Sequence, residues 1–534
     1  MKFNTFPDRD RVWQDMEGGN DGTWDAVIIG GGITGAGILR EAVRNGYKTL
    51  LVEQRDFAWG SSSRSSKMVH GGIRYLASGN ISLTRHALQE RENLVRQAPN
   101  LVERLGYYFP LYRKRFPPGF AAGLLFWLYD LLAGTRDHHR VDNDQLSKVF
   151  RELDTSQLNG AFYYTDAVTD DARLTLRVLQ ESVRHGGIVR NYTRANRLIK
   201  HQGKVSGVLL EDRETGAELE IRCNVVINAT GAWADRLGNT ALAGMKIRPQ
   251  RGSHLILSAE RFPVSHAIFI LHPEDGRRVF IYPWEGRTVV GTTDILHDKN
   301  LDHAASMTRD ELVYLLNAAG QLFPGRPPVE SDVISSWSGV RPIITSGKSR
   351  DPSSASREHQ VWVEPGLVSC SGGKLTTFHT MALDVISRAK PFLPARPEPS
   401  DNEIFRRPEF SGADVLPGEV ERGNRLLGRY GDDAVELIND APQQERTSIP
   451  GTSTCLAQVR WAMQREAVVH LDDLMLRRTR LGLLLANGGE ETLRDIGTMV
   501  RELRGWTDEH WESEKDRYRD IIRTYYTVPG SAGN

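Results

Sequence analysis

The segment from residue 24 to residue 53 limits what this chain can fold into more than any other. An apolar run is followed by Gly30, Gly32 and Gly35 in the spacing G-x-G-x-x-G, by helix-forming residues, and by a second apolar run that ends at Glu53. In such a strand–turn–helix–strand unit the glycines permit a tight turn, close approach of a pyrophosphate, and close packing of helix on strand. The helix N-terminus favours the anion, and Glu53 can accept hydrogen bonds from ribose hydroxyls. The segment predicts a Rossmann-like dinucleotide site, for which NAD and FAD both remain open.

Length, charge and cysteine content limit the classes of protein to which this chain can belong. With 534 residues it is too long for one core, so about two or three domains are expected. Lys plus Arg equals Asp plus Glu at 68 each, which does not support nucleic-acid binding by the chain as a whole. Cys223, Cys370 and Cys455 lie far apart, so neither a disulfide framework nor a metal site is predicted, and a reducing cytoplasm is the expected setting. No apolar run reaches the ~18 residues needed to span a bilayer, so we do not expect an integral membrane protein.

A serine- and glycine-rich segment, QRDFAWGSSSRSSKMVHGGIRYLASG, directly follows Glu53. It begins at the carboxyl end of the second predicted strand, where ligands bind in open α/β sheets, which favours a binding loop over a generic surface loop. Within it, SSSRSSKMVHGGIRYL resembles the flavin-binding signature of the FAD-dependent glycerol-3-phosphate dehydrogenases. This resemblance favours FAD over NAD and implies that Arg74 and Tyr75 face the substrate. The flavin contacts that it implies in this segment are Ser62, Ser63, Ser66, His70 and Gly71.

Further motifs of the same family recur later in the chain. The run VVINATGAW predicts a buried strand, and the resemblance implies that its turn, with Ala229 and Gly231, returns the chain to the cofactor. The segments GSH, SGVRP and GGKLTT follow in the same order as in that family. A helix predicted from about Thr376 would direct its N-terminus at an anion or at the pyrimidine edge of the flavin, which adds Gly373 and Thr376 to the predicted cofactor site.

The predicted elements define a fold class. Residues 82–105 predict a helix broken at Pro99, while 247–257, 277–294 and 333–343 predict strands of a mostly antiparallel substrate sheet. Together with the nucleotide unit they indicate an α/β protein with a two-domain FAD-dependent oxidoreductase fold, whose Rossmann-like FAD domain is joined to an α+β substrate domain. The predicted divisions are an N-terminal arm (1–23), a discontinuous oxidoreductase region (24–390), a proline-rich linker (391–400) and a C-terminal helical domain (401–534).

Two helical stretches have alternative interpretations. Residues 120–132 are apolar and follow the basic triplet 113–115, so they predict either a buried helix or a helix in the membrane interface with its cations at the headgroups. The segment REAVVHLDDLMLRRTRLGLLL has the strongest helical periodicity of the C-terminal region and predicts a core-facing stripe. Its Arg477, Arg478 and Arg480 are flanked by aspartates, which predicts a solvated or ion-paired face and not a nucleic-acid patch.

The resemblance implies oxidation of the secondary alcohol of sn-glycerol 3-phosphate to dihydroxyacetone phosphate, with hydride passing to the flavin N5. A phosphomonoester calls for several cations, and arginine binds its oxygens bidentately. The resemblance places Arg74, Arg357 and Lys374 near the phosphate. His254 is the predicted general base, because imidazole titrates near physiological pH. Arg341 would favour the developing alkoxide.

The resemblance also implies an electron acceptor and a location. Electrons would pass to ubiquinone or menaquinone from a peripheral position at the cytoplasmic face of the inner membrane; a homodimer is allowed, and no nucleic-acid partner is expected. Alternatives remain open from the sequence. They are an oxidase of amino acids or other small amines that binds a carboxylate, a glycerol-3-phosphate oxidase that uses oxygen, and a non-catalytic or tRNA-modifying flavoprotein.

Overall fold

The computed structural model describes residues 6–18, 22–77, 79–113, 118–237, 246–345, 359–401 and 403–530. Its helices are α1 (Arg9–Glu17), α2 (Ile33–Arg44), α3 (Ile73–Ala77), α4 (Ile81–Gln97), α5 (Gly119–Ala133), α6 (Asn143–Val149), α7 (Asp171–Arg184), α8 (Arg309–Leu322), α9 (Phe378–Ala389), α10 (Gly412–Val415), α11 (Val420–Tyr430), α12 (Asp433–Asn439), α13 (Leu456–Arg465), α14 (Leu471–Asp473), α15 (Leu481–Leu484), α16 (Glu490–Arg504) and α17 (Asp508–Tyr525). Its strands are β1 (Trp24–Ile29), β2 (Thr49–Val52), β3 (Met68–Val69), β4 (Val102–Tyr112), β5 (His139–Val141), β6 (Leu158–Thr169), β7 (Ile188–Arg190), β8 (Thr193–His201), β9 (Lys204–Asp212), β10 (Glu218–Asn228), β11 (Lys246–Ser258), β12 (Ala267–Leu271), β13 (Arg278–Trp284), β14 (Arg287–Gly291), β15 (Ile295–Leu296), β16 (Val333–Thr345), β17 (Gln360–Glu364) and β18 (Leu367–Ser371).

The first sheet is built on the predicted nucleotide unit. Its strand order is β17-β18-β10-β1-β2-β7, and β18, β10, β1, β2 and β7 run parallel. Strand β2 is fully buried and apolar because helices cover a parallel sheet, and α2 lies against both α7 and α9. Helix α2 ends at Arg44, and Gly46 takes a φ of +76°. The strand, helix and second strand predicted for residues 24–53 are therefore confirmed.

The second sheet is mostly antiparallel, as predicted. Its order is β15-β11-β14-β13-β12-β4-β6-β3, with β16 paired to β11 and β5 paired to β6. The helix expected over 82–105 with a break at Pro99 does end just before that proline, at Gln97. The part expected beyond the break was wrong, because residues 102–112 form β4. The aromatic residues of YYFPLY favour a strand, and β4 pairs with β6 over most of its length. Pairing with a distant strand thus outweighed the local helical pattern.

Helix α5 is buried on one face and exposed on the other. Ala122, Phe126 and Tyr129 are buried against the second sheet. On the outer face Phe120, Leu124, Trp127 and Leu131 are 83%, 66%, 54% and 61% exposed. The expectation of a wholly buried helix was therefore wrong for the outer face. In the described parts of the chain, no helix combines the length and apolar character that crossing a bilayer requires.

The C-terminal periodic stretch is not one helix. It is interrupted by Ala467 and Arg480, whose φ values are +51° and +63°, and Leu474–Arg478 form a π-turn between them. The expected solvated face was wrong, and the ion-paired alternative is confirmed. Arg478 binds both carboxylate oxygens of buried Asp56 at 2.7 Å. Arg477 and Arg480 are equally buried, because they too reach carboxylates: Arg477 pairs with Asp56, Asp472 and Asp473, and Arg480 pairs with Asp170 and Asp171.

Candidate active site

A cavity of 1330 Å³ opens where the carboxyl ends of β1, β2, β10 and β18 meet the second sheet. Most of the predicted site residues line it: Gly30, Gly32, Glu53, Ser62, Ser66, His70, Tyr75, Ala229, Gly231, His254, Arg341, Gly373, Lys374 and Thr376. Gly35, Ser63 and Gly71 lie behind its wall. Arg357 lies outside the described residues, and so does the side chain of Arg74.

The glycine turn has the geometry that a bound pyrophosphate needs. Gly30 takes a φ of +115°, and a Cβ there would lie 2.6 Å from the carbonyl oxygen of Ala229. A Cβ at Gly35 would overlap the carbonyl oxygen of Gly30, so this residue serves helix-to-strand packing. Gly32 is the N-cap of α2 and offers no side chain, while the Ser62 hydroxyl accepts a hydrogen bond from the Ile33 amide at 2.9 Å. Amides and hydroxyls at a helix N-terminus form an anion site.

Glu53 lies at the carboxyl end of β2 beside this turn. Its carboxylate accepts hydrogen bonds from the amides of Gly31 at 2.7 Å and Arg55 at 3.0 Å. Burial raises the pKa of Glu53, against the lowering effect of those two amides. Each oxygen keeps a further lone pair, so the carboxylate can still receive ribose hydroxyls.

Sequence reasoning missed other wall residues at this end of the cavity. They are Trp59 and residues 193–196, at the start of β8. The Arg55 guanidinium lies over the Trp59 ring, 4.1 Å from its centroid. The sequence could have predicted residues 193–196 as part of the site. They directly follow β7, which is a parallel neighbour of β2 and therefore ends at the same edge of the sheet.

The segment after β18 closes the opposite side of the cavity. Gly372 and Gly373 take φ values of +81° and +74°, which only glycine adopts without strain. The Thr376 hydroxyl accepts a hydrogen bond from the His70 amide at 3.2 Å and so ties the two flavin segments of the sequence together. Helix α9 begins at Phe378, after a short 3-10 turn over Leu375–Thr377, slightly later than predicted.

Lys374 and Tyr75, both predicted to contact the substrate, lie against each other. The Lys374 ammonium is 3.6 Å from the centroid of the Tyr75 ring. Gly72, with a φ of +76°, makes the contact feasible, because a Cβ there would overlap that ring. A cation held over an aromatic face keeps its charge while losing conformational freedom. The pair therefore presents a fixed positive charge to the cavity.

His254 is buried on β11 with two different ring nitrogens. Its Nε2 lies 2.9 Å from the Ser66 hydroxyl, and its ring stacks on Trp337 at 4.6 Å. Its Nδ1 is buried without a hydrogen-bond partner in the described part of the chain. Burial, reinforced by the charges of Arg341 and Lys67, lowers the pKa of His254 well below its ordinary value. The imidazole is therefore neutral at neutral pH and has a nitrogen able to accept a proton.

Arg341 lies on β16, next to the strand that carries His254. Its guanidinium contacts the Asp294 carboxylate at 3.2 Å and the Thr292 hydroxyl at 3.3 Å. Gly252 leaves room for it, because a Cβ there would lie 2.8 Å from Nη2 of Arg341. Sequence reasoning missed Asp294 and Trp337, since their places depend on the register of the second sheet.

The residues present fit FAD. The wall offers a glycine turn at a helix N-terminus, a carboxylate at the end of the second strand, and two further segments that converge from β10 and β18. The remainder of the wall carries His254 and Arg341 on the second, mostly antiparallel sheet. The fold and the cavity together define a dinucleotide-dependent oxidoreductase with a substrate site between two sheets.

Comparisons with known proteins refine this class. The sequence model described as FAD dependent oxidoreductase matches residues 25–383, and that of the C-terminal domain of alpha-glycerophosphate oxidase matches residues 407–511. A glycerol-3-phosphate dehydrogenase from Mycobacterium leprae (strain TN) is 35% identical over 517 residues, covering 93% of this chain and 87% of that protein. An aerobic glycerol-3-phosphate dehydrogenase from Staphylococcus aureus (strain USA300) is 32% identical over 508 residues, covering 90% of each.

Solved structures give the same answer. The glycerol-3-phosphate dehydrogenase from Bacillus halodurans, complexed with FAD, has a TM-score of 0.78 at 26% identity and covers 98% of this chain and 99% of that one. The L-alpha-glycerophosphate oxidase from Mycoplasma pneumoniae with FAD bound has a TM-score of 0.57 at 14% identity over 73% of this chain, which shows a shared fold alone. The chain belongs to the FAD-dependent glycerol-3-phosphate dehydrogenase family. The predicted choice of FAD over NAD is confirmed.

Proposed function

We propose that this protein oxidises sn-glycerol 3-phosphate to dihydroxyacetone phosphate and passes the electrons to a membrane quinone, ubiquinone or menaquinone. One observation carries the proposal: a neutral buried imidazole and the charges of Arg341 and Lys374 line the same cavity as the dinucleotide turn. This combination suits a substrate that must lose a hydroxyl proton and carries a phosphate. Its relatives named as glycerol-3-phosphate dehydrogenases support the same substrate.

The proposed cofactor contacts follow from the wall of the cavity. Gly30 and Gly32, with the N-terminus of α2 and Ser62, would hold the pyrophosphate, and Glu53 would hold the ribose. The remaining predicted contacts that line the cavity are Ser66, His70, Ala229, Gly231, Gly373 and Thr376. The other three predicted contacts, Gly35, Ser63 and Gly71, lie behind its wall. FAD, when bound, supplies the acceptor for a hydride.

The chain's own residues would bind the substrate and move one proton. Lys374 and Tyr75, together with the predicted contacts Arg74 and Arg357, would bind the phosphate. Nδ1 of His254 would take the proton of the secondary hydroxyl, because the low pKa keeps that nitrogen unprotonated. Arg341 would stabilise the negative charge that develops on the same oxygen. Loss of one proton and one hydride converts the alcohol to the ketone.

Delivery of electrons to a quinone requires a membrane contact, and α5 is the proposed one. Its exposed residues Phe120, Leu124, Trp127 and Leu131 recur at helical spacing on one face, as in helices that lie in the membrane interface. The basic triplet 113–115 precedes it, although residues 114 and 115 lie outside the described residues. The proposal includes a peripheral position at the cytoplasmic face, and a homodimer stays a prediction.

The proposed domain organisation keeps the predicted divisions at 1–23, 24–390, 391–400 and 401–534. Two findings support it. The proline-rich residues 391–400 lie between the two matched regions of the chain. Helix α1 of the N-terminal arm packs Val12, Trp13 and Met16 onto the apolar core of the first sheet.

The proposed activity is tested with purified holoenzyme and an artificial electron acceptor. Glycerol 3-phosphate should reduce the dye, whereas glycine and proline should not, because the site offers cations for a phosphate. Reduction of a soluble quinone analogue, measured beside oxygen consumption, separates the dehydrogenase from the oxidase. Turnover of amino acids without turnover of glycerol 3-phosphate would contradict the proposal. Oxygen consumption that matches dye reduction would contradict the quinone part alone.

A further inference from the structure

We propose that Ser66 is a positioning residue that orients His254, and that the buried pair of Lys67 and Asp171 holds Ser66 in place from behind. The inference rests on the proposed function, in which His254 is the general base. It gives Ser66 a role different from the flavin contact that the family resemblance implies. It also gives the C-terminal helices a connection to the site, through Arg480.

Packing fixes the plane of the His254 ring and leaves two orientations within that plane. Trp337 stacks on the ring with an angle of 7° between the planes, and a Cβ at Gly291 would overlap the ring from the neighbouring strand. These contacts fix the plane of the imidazole, but they permit a half-turn about the Cβ–Cγ bond, which exchanges Nε2 with Cε1 and Nδ1 with Cδ2. The Ser66 hydroxyl, 2.9 Å from Nε2, decides between the two orientations.

A serine hydroxyl can donate to Nε2 or accept from it, and the proposal assigns the proton to Nε2. When Nε2 carries the proton and donates it to the Ser66 oxygen, Nδ1 presents a lone pair. Nδ1 is buried without a hydrogen-bond partner among the described residues, and His254 lines the cavity. Ser66 therefore directs the proton-accepting nitrogen without accepting the substrate proton itself.

Ser66 is held by its backbone and by its neighbours. The Tyr282 hydroxyl donates to the Ser66 carbonyl at 2.8 Å, and the Trp337 indole donates to the Ser65 carbonyl at 3.1 Å. The Asp171 carboxylate accepts hydrogen bonds from both the amide and the hydroxyl of Ser65, at 2.9 and 2.7 Å. The turn that presents Ser66 is thus fixed by two aromatic donors on one side and by a carboxylate on the other.

Lys67 completes this support with a buried charge. Its ammonium lies 2.9 Å from Asp171 and 3.2 Å from the Ser63 carbonyl, and its side chain is fully buried. It also lies 4.6 Å from the centroid of Trp337, the ring on which His254 stacks. Burying a charge is costly unless it is paired, and Asp171 supplies that pair. Its position next to the stacked pair disfavours a second positive charge on His254.

The charged groups around this support come from several elements. Arg341 of β16, itself paired with Asp294, also faces His254. Asp171, at the start of α7, is shared by Lys67 and Arg480, and Asp170 pairs with Arg480 and Arg429. The C-terminal helices therefore neutralise the carboxylates that anchor Lys67.

The first test replaces Ser66 in the holoenzyme. Ser66→Ala should lower kcat roughly tenfold, with little change in KM, because one hydrogen bond to the base is lost. Ser66→Thr, which keeps a hydroxyl, should restore most of the rate. Ser265→Ala is the matched control, since Ser265 contacts His266 at 2.8 Å at an exposed site and should leave kcat unchanged. Flavin content, measured for each variant, distinguishes this role from a cofactor contact.

The second test replaces Lys67. The acid limb of the kcat/KM profile reports the pKa of the base in the free enzyme. Lys67→Met removes a charge that disfavours the imidazolium, so the limb should move to higher pH, while Lys67→Arg should keep it in place. Lys48→Met is the control, because Lys48 also lies over a tryptophan ring, at 4.7 Å from the centroid of Trp24, but at an exposed site.

A readout independent of turnover separates failure of this inference from failure of the proposed function. Nitrogen NMR of histidine-labelled holoenzyme should show His254 protonated at Nε2 in the parent and a mixture of tautomers in Ser66→Ala. An unchanged tautomer in Ser66→Ala, or equal rates for Ser66→Ala and the parent, would overturn the inference. Loss of flavin from Ser66→Ala would also overturn it and return Ser66 to the cofactor site.

Discussion

Gly32 offers a direct test of the cofactor site at the scale of one residue. Its Cβ position lies only 3.0 Å from the Ser62 hydroxyl, at the N-terminus of α2 where the pyrophosphate is proposed to bind. Gly32→Val should therefore lose most of its flavin, measured by absorbance after gel filtration. Gly325→Val is the control, because a Cβ there would meet no atom closer than 3.7 Å. A Gly32→Val protein that stays fully yellow would contradict the assignment.

Changes at Lys374 should affect substrate binding, whereas changes at His254 should affect proton transfer. Lys374→Ala removes a charge-assisted contact, which costs on the order of 1.5–3 kcal/mol, and should raise KM for glycerol 3-phosphate about ten- to a hundredfold. His254→Ala should lower kcat more than it raises KM, because it removes the base. Steady-state kinetics with a soluble dye measure both. An unchanged kcat for His254→Ala would remove the proposed base.

Individual residues differed in how well the sequence predicted them. The glycine turn and Glu53 could be placed because strand, turn, helix and acid follow one another within 30 residues of chain. Ser66 could be placed at the cavity but not beside His254, which is 188 positions away. That contact depends on the register of β11 and β16, where His254 lies opposite Trp337, and no local pattern specifies it.

Helix α5 is the element whose role can be tested most simply. Replacing both Leu124 and Trp127 with serine should weaken binding to anionic phospholipid vesicles by at least about a hundredfold, because burying each of these side chains contributes roughly 1.5–3 kcal/mol. Dye reduction should be unchanged, since neither residue lines the cavity. The control is a double change of Val313 and Val329 to serine, which are 44% and 52% exposed elsewhere.

Vesicle sedimentation measures how much membrane binding the α5 variant loses. Sedimentation without vesicles tests the alternative that this face is an interface between two copies of the chain. If the double variant binds vesicles as well as the parent does, this face is not the membrane contact. If the parent forms a dimer that the same variant loses, the face is an interface between two copies. The apolar run after the basic triplet predicted this helix, but it could not show which face is exposed. That depends on β4, whose residues were predicted to continue a helix.

Buried ion pairs connect distant parts of the chain, as between Asp56 and Arg478. Arg478→Met would leave Asp56 with part of its charge unpaired in the interior, which should lower the free energy of unfolding by about 3 kcal/mol. Arg523→Met is the control, because its pair with Asp520 is exposed and should contribute less than about 1 kcal/mol. Chemical denaturation of both variants measures the difference. Equal midpoints would contradict this account of the C-terminal contact.

These long-range pairs explain what sequence reasoning could not supply at this scale. Aspartates next to Arg477 and Arg478 indicated ion pairing, but Asp56 lies 422 positions before Arg478. A charged cluster in sequence is compatible with solvent or with burial, and only the packing of the C-terminal helices on the first sheet decides. The fold class was predictable because its motifs are local, whereas the role of the C-terminal helices was not.

The central claim is that glycerol 3-phosphate delivers its electrons to FAD bound in this cavity. It is tested most directly by adding glycerol 3-phosphate to purified holoenzyme without oxygen and following the flavin absorbance. We expect full bleaching by the parent, slow bleaching by His254→Ala, and bleaching that needs higher substrate concentrations in Lys374→Ala. A flavin that stays oxidised in the parent at saturating glycerol 3-phosphate would contradict the account.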